Sequence, residues 1–120
     1  SPDCARQVKT ELARLLTDRQ VDLDFANLIE LEDPSFQPPT SWSMLTSVCG
    51  KDATALLVNG ARWRPSPKAG ASVAGCMVAS GDRPFVVQAL EHVEGSMAVV
   101  AIGAHFPHLW QYAPGLARLR

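Results

Sequence analysis

Three residues of this chain stand where an apolar run begins or ends and carry groups able to handle a cation or a phosphate. Glu30 lies near the end of the run 24–31, Arg83 directly precedes Pro84 and the run 85–90, and His105 follows the run 97–102 in Gly103-Ala104-His105-Phe106-Pro107-His108. A carboxylate at a strand end can offer hard oxygen atoms to Mg²⁺, which keeps several waters and needs only one or two protein carboxylates. An arginine at a strand entrance can hold a phosphate through its fork of donors. An imidazole where a loop opens after a strand can act as general acid or stabilise a phosphoryl transition state. Taken singly, each has a plainer reading. Glu30 or Glu32 marks where a strand emerges into solvent, Arg83 is a solvated charge, and His105 packs under its loop.

Arg62, Trp63, Arg64 and Lys68 form the one basic cluster with an aromatic residue, a candidate phosphate-contact loop. The alternative is a solvated loop with Trp63 tucked into the core. The three cysteines, Cys4, Cys49 and Cys76, are too scattered for a disulfide scaffold and form no CxxC pair. Cys49 and Cys76 flank the run 53–58, so a bridge is open to them in an oxidising compartment. Otherwise they pack as small apolar thiols.

The elements that must position these groups follow from periodicity. Ser1-Pro2-Asp3 is a good helix opening, and Val8, Leu12, Leu15 and Leu16 share one face of a helix expected to reach about residue 18. Residues 22–31 read as a buried strand bounded by acids. Residues 42–48 and 53–59 read as strands joined by Cys49-Gly50-Lys51-Asp52, a hairpin-type connection. Residues 62–75, with two prolines and two glycines, read as mostly irregular. Residues 76–80, 85–93 and 97–102 are three further strands, the last two joined at Glu94-Gly95. A short helical stretch is expected between Pro107 and Pro114, and residues 116–120 read as the start of a helix. One helix, a strand and then successive hairpins imply an α+β or mixed α/β layer.

With 120 residues, 47% of them hydrophobic, the chain suits one domain rather than two. A net charge of −1 gives no global attraction to nucleic acid or an anionic surface, which weighs against a DNA-coating module. It leaves room for a nuclease whose cation supplies positive charge locally. No apolar run approaches the roughly 20 residues of a membrane helix. The polar opening Ser1-Pro2-Asp3-Cys4 does not read as a signal peptide, and localisation stays unassigned.

The landmarks also occur in a familiar order. Asp24-Phe25-Ala26-Asn27-Leu28-Ile29-Glu30 resembles the segment of the endonuclease/exonuclease/phosphatase superfamily in which a hydrophobic strand ends on the metal-binding glutamate, with Ile29 where that pattern commonly has glutamine. Asp52-Ala53-Thr54-Ala55-Leu56-Leu57-Val58-Asn59 resembles its central strand, Arg83-Pro84-Phe85-Val86-Val87-Gln88-Ala89-Leu90 its arginine-proline strand, and residues 99–105 the strand delivering the catalytic histidine. The likeness is to the N-terminal half of the deoxyribonuclease-I-like branch. It implies part of a four-layer α/β sandwich, with a mixed, largely antiparallel sheet and flanking helices.

On that resemblance Glu30 is the metal ligand, Arg83 the structural or phosphate-side arginine and His105 the imidazole at the scissile phosphate. The cofactor is Mg²⁺, with Mn²⁺ or Ca²⁺ as alternatives. The substrate is nucleic acid or another phosphodiester: DNA, RNA, a phosphoinositide or a sphingolipid head group. The superfamily's opening strand with its asparagine ligand, its GDxN-type loop and its late Asp-His pair have no counterpart in residues 1–120. The further glutamate of the hairpin also has none in Ser47-Val48-Cys49-Gly50. The expectation is therefore an incomplete, N-terminal-half domain, inactive alone, that works with a complementary C-terminal half or a larger assembly. The competing expectation is a non-catalytic structural or accessory subunit reusing the fold.

Overall fold

In the computed structural model, the described residues are 2–68, 70–77 and 83–106. Helix α1 (Pro2–Thr17) opens with a proline, whose missing N–H is no loss in a first turn, and places Asp3 at the positive end of its dipole. The expected capping residue Ser1 lies outside the described residues. Of the four apolar positions expected on one face, Leu16 is buried and Leu12 partly so, while Val8 and Leu15 stay exposed. The Trp42 indole N–H donates to the Leu16 carbonyl at 3.0 Å, satisfying one of the acceptors that the end of α1 would leave open.

The strands β1 (Phe25–Leu28), β2 (Trp42–Cys49) and β3 (Asp52–Asn59) form an antiparallel sheet in the order β1-β3-β2. The strands β4 (Trp63–Pro65), β5 (Ser72–Cys76), β6 (Pro84–His92) and β7 (Ala98–Ala104) form a second sheet in which β6 pairs antiparallel with the other three. β7 lies along one side of β6. β4 and β5 lie end to end along the other and meet at Ala89, whose N–H donates to the Ala71 carbonyl and whose carbonyl accepts from the Ser66 N–H.

Alternation decides how the layers stack. On β3, Ala55 and Leu57 face α1 and form a core with Leu16, Phe36 and Trp42. The interleaved Leu56 and Val58 face the second sheet and pack with Trp63, Val86 and Leu90. Every residue from Ala53 to Val58 is buried, as expected of a strand covered on both faces. The described residues thus form an α+β fold of one helix and two antiparallel sheets. The outer face of the second sheet carries Val73, Val100 and Ile102, each more than half exposed, around Val87.

Two expectations need correction. The segment 22–31 is not one buried strand. Only Phe25–Leu28 pairs, because Asp22 and Glu30 adopt left-handed backbone (φ 57° and 52°) that takes the chain out of the ladder. The segment 62–75 is not mostly irregular, since it contains β4 and most of β5. Of the expected strand 76–80, Cys76 is the last residue of β5. Residues 78–82, the stretch between Pro107 and Pro114 and residues 116–120 lie outside the described residues. Among the described residues, no helix is long and apolar enough to cross a membrane.

Candidate functional site

Glu30, Asp52, Arg83 and His105 come from four separate places in the chain and meet at one end of the two sheets. The Leu31 N–H donates to the Ala53 carbonyl at 3.0 Å, which pins the chain just past Glu30 to the start of β3. Between that anchor and β1, the left-handed turn at Glu30 leaves its carboxylate 73% exposed. The following loop is tied to α1 by a Lys9–Asp33 ion pair of 2.7 Å. The Lys9 ammonium, and then the Ser35 hydroxyl and N–H, hold the Asp33 carboxyl down at about 2.

Gly50 (φ 60°) supplies the backbone conformation that closes the β2–β3 hairpin, so that Cys49 and Asp52 face each other. Cys49 is bridged to Cys76, and Cys76 is the register partner of Pro84. The Met77 N–H donates to the Arg83 carbonyl at 2.9 Å, continuing that pairing to the arginine itself. The disulfide therefore staples the hairpin carrying Asp52 to the strand pair that delivers Arg83.

His105 Nδ1 lies 2.8 Å from Asp52 Oδ2, and both side chains are only 15% exposed. A carboxylate accepts, so Nδ1 carries the proton, and Nε2 points toward Glu30 Oε1 at 3.8 Å. Arg83 Nη1 lies 3.5 Å from the same Asp52 oxygen and 2.8 Å from both imidazole nitrogens. A point equally close to both nitrogens cannot lie in the ring plane without striking Cε1. Nη1 therefore lies over the face of the imidazole rather than in line with either nitrogen. The other Asp52 oxygen, Oδ1, is buried with no hydrogen-bond partner among the described residues.

Sequence reasoning named Glu30, Arg83 and His105, which the structure brings together, and missed Asp52. The hairpin stretch Ser47-Val48-Cys49-Gly50 ends two residues short of it. The missed signal was alternation: Asp52, Thr54, Leu56 and Val58 share one face of β3, so an acid opening that strand faces the second sheet.

The basic cluster is elsewhere. β4 pairs with Leu90–His92, the end of β6 remote from Arg83, about 25 Å away at roughly 3.3 Å per residue. Arg62 is committed to Asp22 and Asp24, and Arg64 lies 3.6 Å from Glu91. Trp63 is buried against Phe25 and His92, its N–H donating to Asp24. The exposed Lys68 follows β4 in the same loop. Arg62, Arg64 and Lys68 thus form no part of the Glu30–His105 constellation.

Among the described residues no three His, Cys, Asp or Glu side chains converge as a metal cage. Glu30 alone fits a hydrated Mg²⁺, which needs as little as one carboxylate, because its oxygens face solvent beside the imidazole. A groove between α1 and the segment 27–33, lined by Leu12, Leu28, Leu31 and Phe36, runs up to Glu30. Compared with protein-family models, curated proteins and solved structures, the chain matches none.

Proposed function

We propose that this chain is the imidazole-bearing half of a divalent-metal-dependent phosphodiester hydrolase. The observation that carries the reading is the meeting of Glu30, Asp52, Arg83 and His105, drawn from four elements, at one end of the sheets. Asp52 holds the Nδ1–H of His105, which fixes the ring and leaves Nε2 to meet a phosphate oxygen. In its protonated form the ring donates from Nε2 and stabilises charge as it develops on that oxygen. Arg83 keeps positive charge beside the ring. Glu30 would hold the cation, which when bound neutralises phosphate charge. No group of residues 1–120 is recognised as the base for water, and on this reading a complementary half would bring the second acid, the asparagine and the Asp-His pair. The four-layer sandwich belongs to the same proposal. α1 and the two sheets would be three of its layers, and the exposed apolar face around Val100 and Ile102 is where the fourth would pack.

The test is hydrolysis of DNA, RNA and a chromogenic phosphodiester with Mg²⁺. Residues 1–120 alone should show none. With the complementary half supplied, activity should appear and be abolished by His105→Ala. Turnover unaffected by that substitution would refute the assignment. One observation favours a second reading, a structural subunit: Asp52 receives both Arg83 and His105, so these charges satisfy one another without a ligand. A complemented protein that stays inactive, and whose melting temperature falls with His105→Ala, would establish that reading.

A further inference from the structure

We propose that Asn27 is a positioning residue for His105, acting through the carbonyl of Ala104; the inference rests on His105 being the imidazole at the scissile phosphate. The argument begins with β7. The His105 N–H points at β6, donating to the Pro84 carbonyl at 3.4 Å. Backbone alternation then turns the Ala104 carbonyl away from β6, to the open side of β7. No strand among the described residues pairs with that side. The partner of this carbonyl is instead a side chain from the other sheet, Asn27 Nδ2 at 3.1 Å, 77 residues away in sequence.

The carboxamide is oriented by the carbonyl it meets. The Ala104 carbonyl can only accept, which requires the amino end of Asn27 to face it. Asn27 Oδ1 lies 3.2 Å from the hydroxyl of fully buried Thr54, whose single proton goes chiefly to the nearer Leu28 carbonyl at 2.6 Å. A second, independent observation is the room it occupies. A Cβ added to Gly103 would lie 2.8 Å from Asn27 Oδ1 and 3.3 Å from Leu56 Cβ. Only a bare Cα at 103 lets the carboxamide reach across. Thus β1 and β3 hold the last peptide before His105, and β3 also supplies Asp52, which holds its ring. Backbone and ring are referenced to the same strand, so Nε2 is presented at a fixed place relative to β3.

Asn27→Asp is the sharpest variant, because it keeps the shape and replaces the donor facing the Ala104 carbonyl with an acceptor. Gly103→Ala displaces the carboxamide from the other side, and Asn27→Ser covers the case in which the first variant does not fold. Imidazole ¹⁵N shifts of His105, assigned with His105→Gln, are read at a pH where the ring is neutral. In the unaltered chain they should report the proton on Nδ1, held by Asp52. In Asn27→Asp and Gly103→Ala they should move toward the Nε2–H form that free histidine prefers, with the His92 signals unchanged. In the complemented protein kcat should fall about tenfold or more with KM unchanged, within the range positioned acid-base groups supply. Unchanged His105 shifts in a folded Asn27 variant would overturn the proposal, whatever the activity. Shifts that move in a complemented protein without hydrolysis would retain the positioning role and refute the hydrolase reading instead.

Discussion

Opening the Cys49–Cys76 bridge should cost this chain much of its stability, and the size of the loss can be worked from the loop it closes. The two cysteines are 27 residues apart. Chain-entropy bookkeeping for a loop of that length gives about 12 cal/mol/K, or about 3.5 kcal/mol at 25 °C. For 120 residues, an unfolding entropy of about 2.1 cal/mol/K per residue converts that to a fall in Tm of about 14 °C. The perturbation is reduction with a phosphine, compared with Cys49→Ser/Cys76→Ser, both in a Cys4→Ser background to prevent thiol exchange. Urea unfolding followed by tryptophan fluorescence is the assay, since Trp42 and Trp63 are buried reporters of the two cores. Reduced protein and double variant should agree, and reductant should leave the double variant unchanged. A loss below about 1 kcal/mol would show that β2, β5 and the packing between them already restrict the open chain. The bridge also sets Asp52 against Arg83, so reduction of the complemented protein should lower turnover under conditions where it stays folded.

Three further outcomes follow. Asp33 ionises more readily folded than unfolded, its carboxyl held near 2 against an ordinary 3.8, so its contact with Lys9 stabilises above about pH 4. That contribution should disappear between about pH 4 and pH 2, seen as a shrinking gap between the unaltered chain and Asp33→Asn, with high salt narrowing the gap throughout. Gln88 is buried between the sheets, its carbonyl oxygen without a partner among the described residues, so Gln88→Met should raise stability by about 1 kcal/mol in urea unfolding, and a loss would reveal a bonded amide. In residues 1–120, Ile102→Lys should change stability by no more than about 0.5 kcal/mol and reduce hydrophobic-dye binding, whereas Leu90→Ala should cost about 2–5 kcal/mol. Equal costs would mean the second sheet is turned over.

What could be read from the residues, and what could not, divides along a physical line. β2, β3, β6 and β7 announce themselves through runs rich in β-branched and apolar residues, because packing selects those side chains. β4 and β5 do not, since Trp63-Arg64-Pro65 and Ser72-Val73-Ala74-Gly75-Cys76 are short edge segments whose pairing with β6 is made by backbone bonds. Backbone bonds leave little mark on composition. Glu30, Arg83 and His105 could be picked out because each sits at a strand end, but their convergence depends on the stacking of two sheets, which no single segment encodes. Asp52 was hidden by its place in a hairpin, where acids are ordinary. The Arg62 cluster misled because its partners, Asp22 and Asp24, are about 40 residues upstream.

The double burial of β3 has a consequence for motion. A strand that walls both cores cannot leave one without opening the other, so the amides of Ala55 to Val58 should exchange with solvent only through global unfolding. Asp52 begins that strand, and through it His105 is moored to the slowest-exchanging part of the chain. Glu30 stands instead on an exposed left-handed turn beyond a four-residue edge strand, among amides expected to open locally. The two sides of the site therefore have different mechanical character. The imidazole is held still, while the carboxylate can give way to an arriving cation and its waters.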